Sequence, residues 1–199
     1  ESNSLRRRRK TKLDTLTAWL SNHGFKNVGQ GSFGAVYEKP GYPWVFKVFH
    51  GDPAYLDFLR FAIAHQSNPH VPKIKGQPFR IDDNTYAIRI EKLQPWGGYF
   101  ELQTGDNLGL QDFLRWWNPP MKPEQIEFLK RHKAEGLIEV LNGLAELCRS
   151  KNHRLDLHAG NTMRRGNTLV IADPLVNDKS MEKSEPPMTK PLRPTKASN

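Results

Sequence analysis

Apolar positions change their rhythm along the chain, from short runs and alternation early to helical spacing late. Leu13, Leu16, Trp19 and Leu20 share one face of a helix that Asn22 to Gly24 stop. Residues 25–30 read as a strand, Ala35 to Glu38 as a second, and Trp44 to Phe49 as a third, apolar around a single lysine. Pro40, Gly41 and Pro43 turn the chain between the last two. Ala54 to His65 predicts a helix with Tyr55, Leu59, Ala62 and Ile63 on its buried face. Phe79 to Ile81 and Tyr86 to Leu93 flank a turn at Asp82–Asn84 and predict an antiparallel pair. Residues 111–117 predict a short helix ending before Pro119. Pro123 suits a first helical turn, and that helix is expected to run to about Ser150. Its buried stripe would be Leu137, Leu141, Leu144 and Cys148, and Gly136 and Gly143 would each weaken it by about 1 kcal/mol. A loop over 155–161 and a short strand, Thr168 to Ile171, follow.

A strand-rich half before a helix-rich half predicts an α+β fold with a ligand cleft between two lobes. The 199 residues suffice for such a core, and no apolar run approaches a membrane span. The single cysteine, Cys148, excludes an internal disulfide and a cysteine-based zinc site, and reads as a small core residue. The net charge of +9 is uneven: Arg6 to Arg9, Lys10 and Lys12 supply more than half of it. That arm reads as a solvated segment, with contact to nucleic acid or an acidic protein surface as the alternative. It runs into a mixed polar stretch without an apolar core, so no secretory leader is expected. The end of the chain, rich in proline and lysine and without aromatics, reads as a tail. His65 and His70 have no further ligand at metal spacing and read as structural. Of the adjacent Trp116 and Trp117, one is expected in the core and one at the surface.

The chemistry concentrates in four places. Gly29-Gln-Gly31-Ser-Phe33-Gly34-Ala-Val36 fits G-x-G-x-x-G-x-V, whose glycines let backbone N–H groups approach phosphate oxygens. It lies between two strands, which argues against a dinucleotide fingerprint. Lys47 sits in the middle of the next strand, where a cation is costly unless it faces water or has a partner. Asp156 and Asn161 stand five apart on one loop, and Asp173 follows after a short strand. In phosphoryl transfer such residues orient the attacking hydroxyl and hold magnesium.

This set resembles the protein-kinase superfamily. Residues 24–48 and 155–174 in particular resemble the early serine/threonine protein kinases of Teseptimavirus-type podophages. The resemblance, over about 13–176, implies a bilobal protein-kinase-like fold with an antiparallel-sheet N-lobe and a reduced helical C-lobe. It divides the chain into a basic arm with the first helix (1–24), an N-lobe (25–93), a C-lobe (94–176) and a tail (177–199). It implies ATP and Mg2+ as cofactors. Gly29, Gly31, Gly34 and Val36 would form the phosphate loop and Lys47 would hold the phosphates. Glu91 to Leu93 would be the hinge that meets adenine through its backbone. Asp156 would be the catalytic aspartate, with Asn161 and Asp173 as metal ligands. The family implies bacterial host proteins as substrates, RNA polymerase among the candidates, contribution to host transcription shutoff, and a place in the host cytoplasm. The composition itself predicts no membrane partner, and the basic arm is the one place where nucleic acid could bind, a contact that is not the favoured reading.

The sequence also departs from that pattern. His153-Arg154 is followed by Leu155 before Asp156, so the usual H-R-D triplet is broken. His158 stands where many such kinases have lysine, and D-x-H-x-x-N also occurs in kinases of small molecules. The metal triplet reads Asp173-Pro174-Leu175. No glutamate is placed to pair with Lys47; Asp57 and Asp52 are the carboxylates on offer. Twenty-six residues follow Asp173, too few for the usual activation segment and substrate platform. Two alternatives therefore stand: a binding module on a kinase scaffold that inhibits a host enzyme, and a small-molecule phosphotransferase. Trp96 to Tyr99 reads as a connector or as part of the nucleotide mouth.

Overall fold

In the computed structural model, residues 11–31, 34–95 and 107–177 are described. The basic arm before residue 11, the loop tip at Ser32 and Phe33, Trp96 to Tyr99 and the proline-rich tail lie outside them.

Helix α1 (Lys12–Asn22) starts at a reciprocal cap: Asp14 N–H donates to Thr11 Oγ1, and Thr11 N–H donates to the Asp14 carboxylate. Strands β1 (Lys26–Gly31), β2 (Gly34–Glu38) and β3 (Trp44–His50) follow, then α2 (Pro53–Ala64), β4 (Ile74–Arg80) and β5 (Thr85–Glu91). The five strands form one antiparallel sheet in the order β1-β2-β3-β5-β4. Alternation along β3 decides what each side of it faces. Val48 joins Ala87 and Ile81 under Leu13 and Leu16 of α1. Phe49 and Val45 turn the other way, toward α2 and the main core. Lys47, two residues from each, therefore points to that inner face as well.

A two-residue strand, β6 (Gln94–Pro95), leads out of the sheet lobe. Then come α3 (Asn107–Trp116), α4 (Pro123–Arg131), α5 (Gly136–Lys151), β7 (His153–Leu155), a single 3-10 turn (Ala159–Asn161), β8 (Thr162–Arg165), β9 (Thr168–Ile171) and β10 (Leu175–Asn177). β10 pairs with β7, and β6-β8-β9 form a second small sheet. The core runs continuously from Phe49, Tyr55 and Phe58 to Leu137, Leu141, Leu144 and Ile171. This is an α+β fold: an antiparallel sheet lobe, then a small helical lobe. Among the described residues no helix is long and apolar enough to cross a membrane.

Several elements differ from the pattern-based expectation. The helix expected from Pro123 to about Ser150 is two helices. It breaks at Lys133, whose φ is +51°, and Ala134 N–H returns to the Leu129 carbonyl. β4 begins at Ile74, five residues before the expected Phe79, and the short strands β7, β8 and β10 fall in stretches with no strand pattern. Gly136 and Gly143 are sites of close approach: a Cβ on Gly143 would lie 2.3 Å from the Phe61 ring of α2. Trp117 is buried and Trp116 exposed, and Cys148 packs half-buried against the core.

The lobes are tied by polar contacts at the back. Arg165 on β8 grips the Glu91 carboxylate through Nε and a second guanidinium nitrogen, and also donates to the Pro69 and Val71 carbonyls. The His70 ring nitrogen meets the Leu169 carbonyl at 2.8 Å. Burial holds the His70 pKa below the ordinary value.

Candidate active site

Two adjoining cavities, of about 420 and 450 Å³, open between the sheet lobe and the late loops. Gly29, Val36, Lys47, Asn161 and Asp173 line both. The more apolar one is walled by Val28, Val45, Tyr55, Ile90, Met163 and Ala172, with Glu91 to Leu93 along its edge. The more polar one adds Gly34, Asp52, Asp156 and Leu175 to Asn177. An apolar slot thus adjoins a more polar one.

Lys47 is the join. Its side chain is 19% exposed, and Nζ donates to Asp173 Oδ2 at 2.7 Å, bridging 126 positions of sequence. The ammonium also lies 3.5 Å above the centre of the Tyr55 ring. Burial pushes the Lys47 pKa down, but Tyr55 and Asp173 together outweigh it and leave it raised. Burial lifts the Tyr55 phenol to about 12. The expectation that Asp57 or Asp52 would pair with Lys47 is not met. Asp57 turns to β7, where its Oδ2 is 3.1 Å from His153 Nε2, and to Arg60. Asp52 caps α2, accepting from Tyr55 N–H at 2.9 Å. It lines the more polar cavity, and burial raises its pKa, with Asp173 adding to the effect.

The late loop is held by its own hydrogen bonds. Asn161 Nδ2 donates to the Asp156 carbonyl and to Asp156 Oδ2, both at 2.8 Å. Asp156 N–H donates to the Pro174 carbonyl at 2.7 Å, and the N–H groups of Ala172 and Asp173 both reach the Asn161 carbonyl. The D-P-L departure is thereby used: a proline lacks an N–H, but its carbonyl anchors Asp156. His158 caps the 3-10 turn, accepting from Gly160 N–H, and its Nε2 lies 3.6 Å from Asp156 Oδ2.

The glycine loop divides its labour. Nothing lies within 4 Å of a Cβ built on Gly29, which faces the cavities. Gly31 pairs with Gly34 at the end of the hairpin. A Cβ on Gly34 would stand 2.3 Å from the Val48 carbonyl and 3.0 Å from Phe49 Cα. Gly34→Ala is therefore expected to cost about 1–3 kcal/mol by overpacking. Thermal melting should show a clear loss for Gly34→Ala and almost none for Gly29→Ala. Val36 stands opposite Lys47 on the neighbouring strand. The Glu91 carboxylate is taken by Arg165 and by Lys73 N–H, so only its backbone edge serves the cavity.

The residues assigned to the site from the sequence thus line the two cavities, apart from Gly31, which stands at the end of the hairpin. Pattern reading missed Tyr55 as a partner of Lys47 and missed the walls Val28, Val45, Met163 and Ala172. The spacing of Val45 and Ala172, two before the lysine and one before the aspartate, is the signal that was available for those two.

As oxygen donors for a cation the site offers Asn161 and Asp173. With the Asn161 amide nitrogen spent on Asp156, its oxygen is the end left for a ligand. Among the described residues no group of three or more His, Cys, Asp or Glu could hold a metal ion by itself. An amide and a carboxylate suit a magnesium ion that phosphates also coordinate.

No family model matches the chain, and no curated protein matches it. Among solved structures it is similar to Rad53 1–466 in complex with AMP-PNP, with 16% identity and a TM-score of 0.41, over 80% of this chain and 42% of that one. The chain thus spans about two fifths of the length of that structure.

Proposed function

We propose that the chain is an ATP-dependent phosphotransferase that passes the γ-phosphoryl group to serine or threonine hydroxyls of proteins. The observation that carries this reading is the meeting of Lys47 with Asp173, near Asp156 and Asn161, where an apolar slot adjoins a more polar cavity. Adenine fits the slot between Val36, Val45 and Met163. Because Glu91 and Lys92 N–H groups already serve the Lys73 and Pro43 carbonyls, Leu93 offers the hinge N–H. Gly29 and the hairpin above would cover the phosphates, and Lys47 would neutralise them. Asp156, its carboxylate steadied by Asn161, would orient the attacking hydroxyl and take its proton. Magnesium, held by Asn161 and Asp173, would balance phosphate charge when bound.

The resemblance in sequence extends this to an early phage kinase acting in the host bacterial cytoplasm. Its substrates would be host proteins, RNA polymerase among them, and host transcription would fall. The small-molecule reading rests on His158 beside Asp156. Incubation with γ-labelled ATP, magnesium and a bacterial lysate tests the choice. Label on phosphoserine or phosphothreonine supports the protein-kinase reading. Label confined to small metabolites supports the other, and no transfer at all returns the chain to a binding module.

A further inference from the structure

We propose that Tyr55 is the positioning residue of the cleft lysine: the face of its ring, in place of a helix carboxylate, seats the Lys47 ammonium. This role rests on the phosphotransfer reading above. The geometry is specific. Lys47 Nζ stands 3.5 Å over the ring centre, well inside the range of a cation–π contact. The ring itself cannot wander. Tyr55 is 1% exposed, meets Phe49 edge-on at 4.9 Å and Phe58 at 6.0 Å, and its N–H is fixed by Asp52.

The chain path explains why an aromatic fills this place. Only Gly51 and Asp52 separate β3 from α2. Gly51, at φ +64°, turns the chain sharply, and its N–H is held by the Asn84 carbonyl. The first turn of α2 is thereby pressed against Lys47. The acidic residue one turn in, Asp57, faces His153 on β7 instead.

The substitution changes what the lysine can do. A carboxylate on the helix would compete for the N–H bonds of the ammonium. A ring face attracts the charge without accepting a directed bond of comparable strength. One N–H goes to Asp173 and the Tyr55 hydroxyl adds a weaker attraction, which leaves donor capacity for ligand oxygens.

The test compares two full-length proteins of nearly the same shape, Tyr55→Phe and Tyr55→pentafluorophenylalanine, the second with its ring quadrupole reversed. Mg-ATP binding is read by calorimetry at neutral pH, with a thermal melt of each protein beside it. The two variants should melt alike, and the fluorinated ring should weaken Mg-ATP binding roughly three- to tenfold relative to Tyr55→Phe, because the reversed quadrupole no longer seats the ammonium. Equal affinities from the two rings would overturn the proposal. No binding of Mg-ATP by the unmodified protein would overturn the nucleotide reading and this role with it.

Discussion

Asp156→Ala is expected to yield a folded, nucleotide-binding protein whose transfer of labelled phosphate falls by about 10²–10⁴-fold, the range for loss of a positioned base. The fold should survive because the bonds that shape the loop are mostly main-chain. Asp156 N–H still reaches Pro174, and Asn161 Nδ2 still reaches the carbonyl of residue 156. Only the bond from Asn161 to Asp156 Oδ2 is lost, with the side chain already 45% exposed. That loss is worth about 1 kcal/mol of stability. Calorimetric titration with Mg-ATP and a thermal melt check the two silent quantities, and a γ-label assay checks the third. Transfer that persists in the variant would remove Asp156 from its role. An inactive variant that still slowed bacterial growth would favour the binding-module alternative.

The sheet lobe and the order of the site residues were legible because both follow from local rules. The period-two pattern of β3 places Val45, Lys47 and Phe49 on one side, and the structure has all three on the inner face. The five-residue spacing of Asp156 and Asn161 is a loop length, and the loop closes as one hydrogen-bonded turn. What was not legible depends on partners far away in sequence. β7 and β10 are three residues each and exist because they pair with one another. Three residues carry too little pattern to announce a strand. The break before Gly136 has neither proline nor glycine at Lys133, only a left-handed turn closed by the Ala134 N–H on the Leu129 carbonyl. Tyr55 had the periodicity of a core residue and is one, so nothing in its spacing marked the lysine above it. The carboxylate that pairs with Lys47 was hidden for the same reason. The partner that mattered, Asp173, lies at the far end of the described chain.

Lys47→Met should be the second large loss, and it differs in kind. Removing one preorganised charge from a phosphate site costs about 10²–10³-fold in turnover. Here ATP affinity should fall too, because Nζ stands where the two cavities join. Lys47→Arg is not expected to rescue. A planar guanidinium must fit between the Tyr55 face and Asp173, which together hold a compact ammonium. Stability adds an independent check on the assignment. Asp173 is 34% exposed, so losing its partner leaves a partly hydrated carboxylate, and the cost should be about 1 kcal/mol. The sign with pH is fixed by the raised Lys47 pKa. A basic group whose pKa rises on folding contributes fully below its unfolded value and loses that contribution as pH climbs through the folded value. The gap in melting temperature between the unmodified protein and Lys47→Met should therefore be constant near neutrality and narrow only above about pH 10.5. A gap that closed between pH 6 and 8 would mean that a group other than this ammonium holds the lobes together at the cleft.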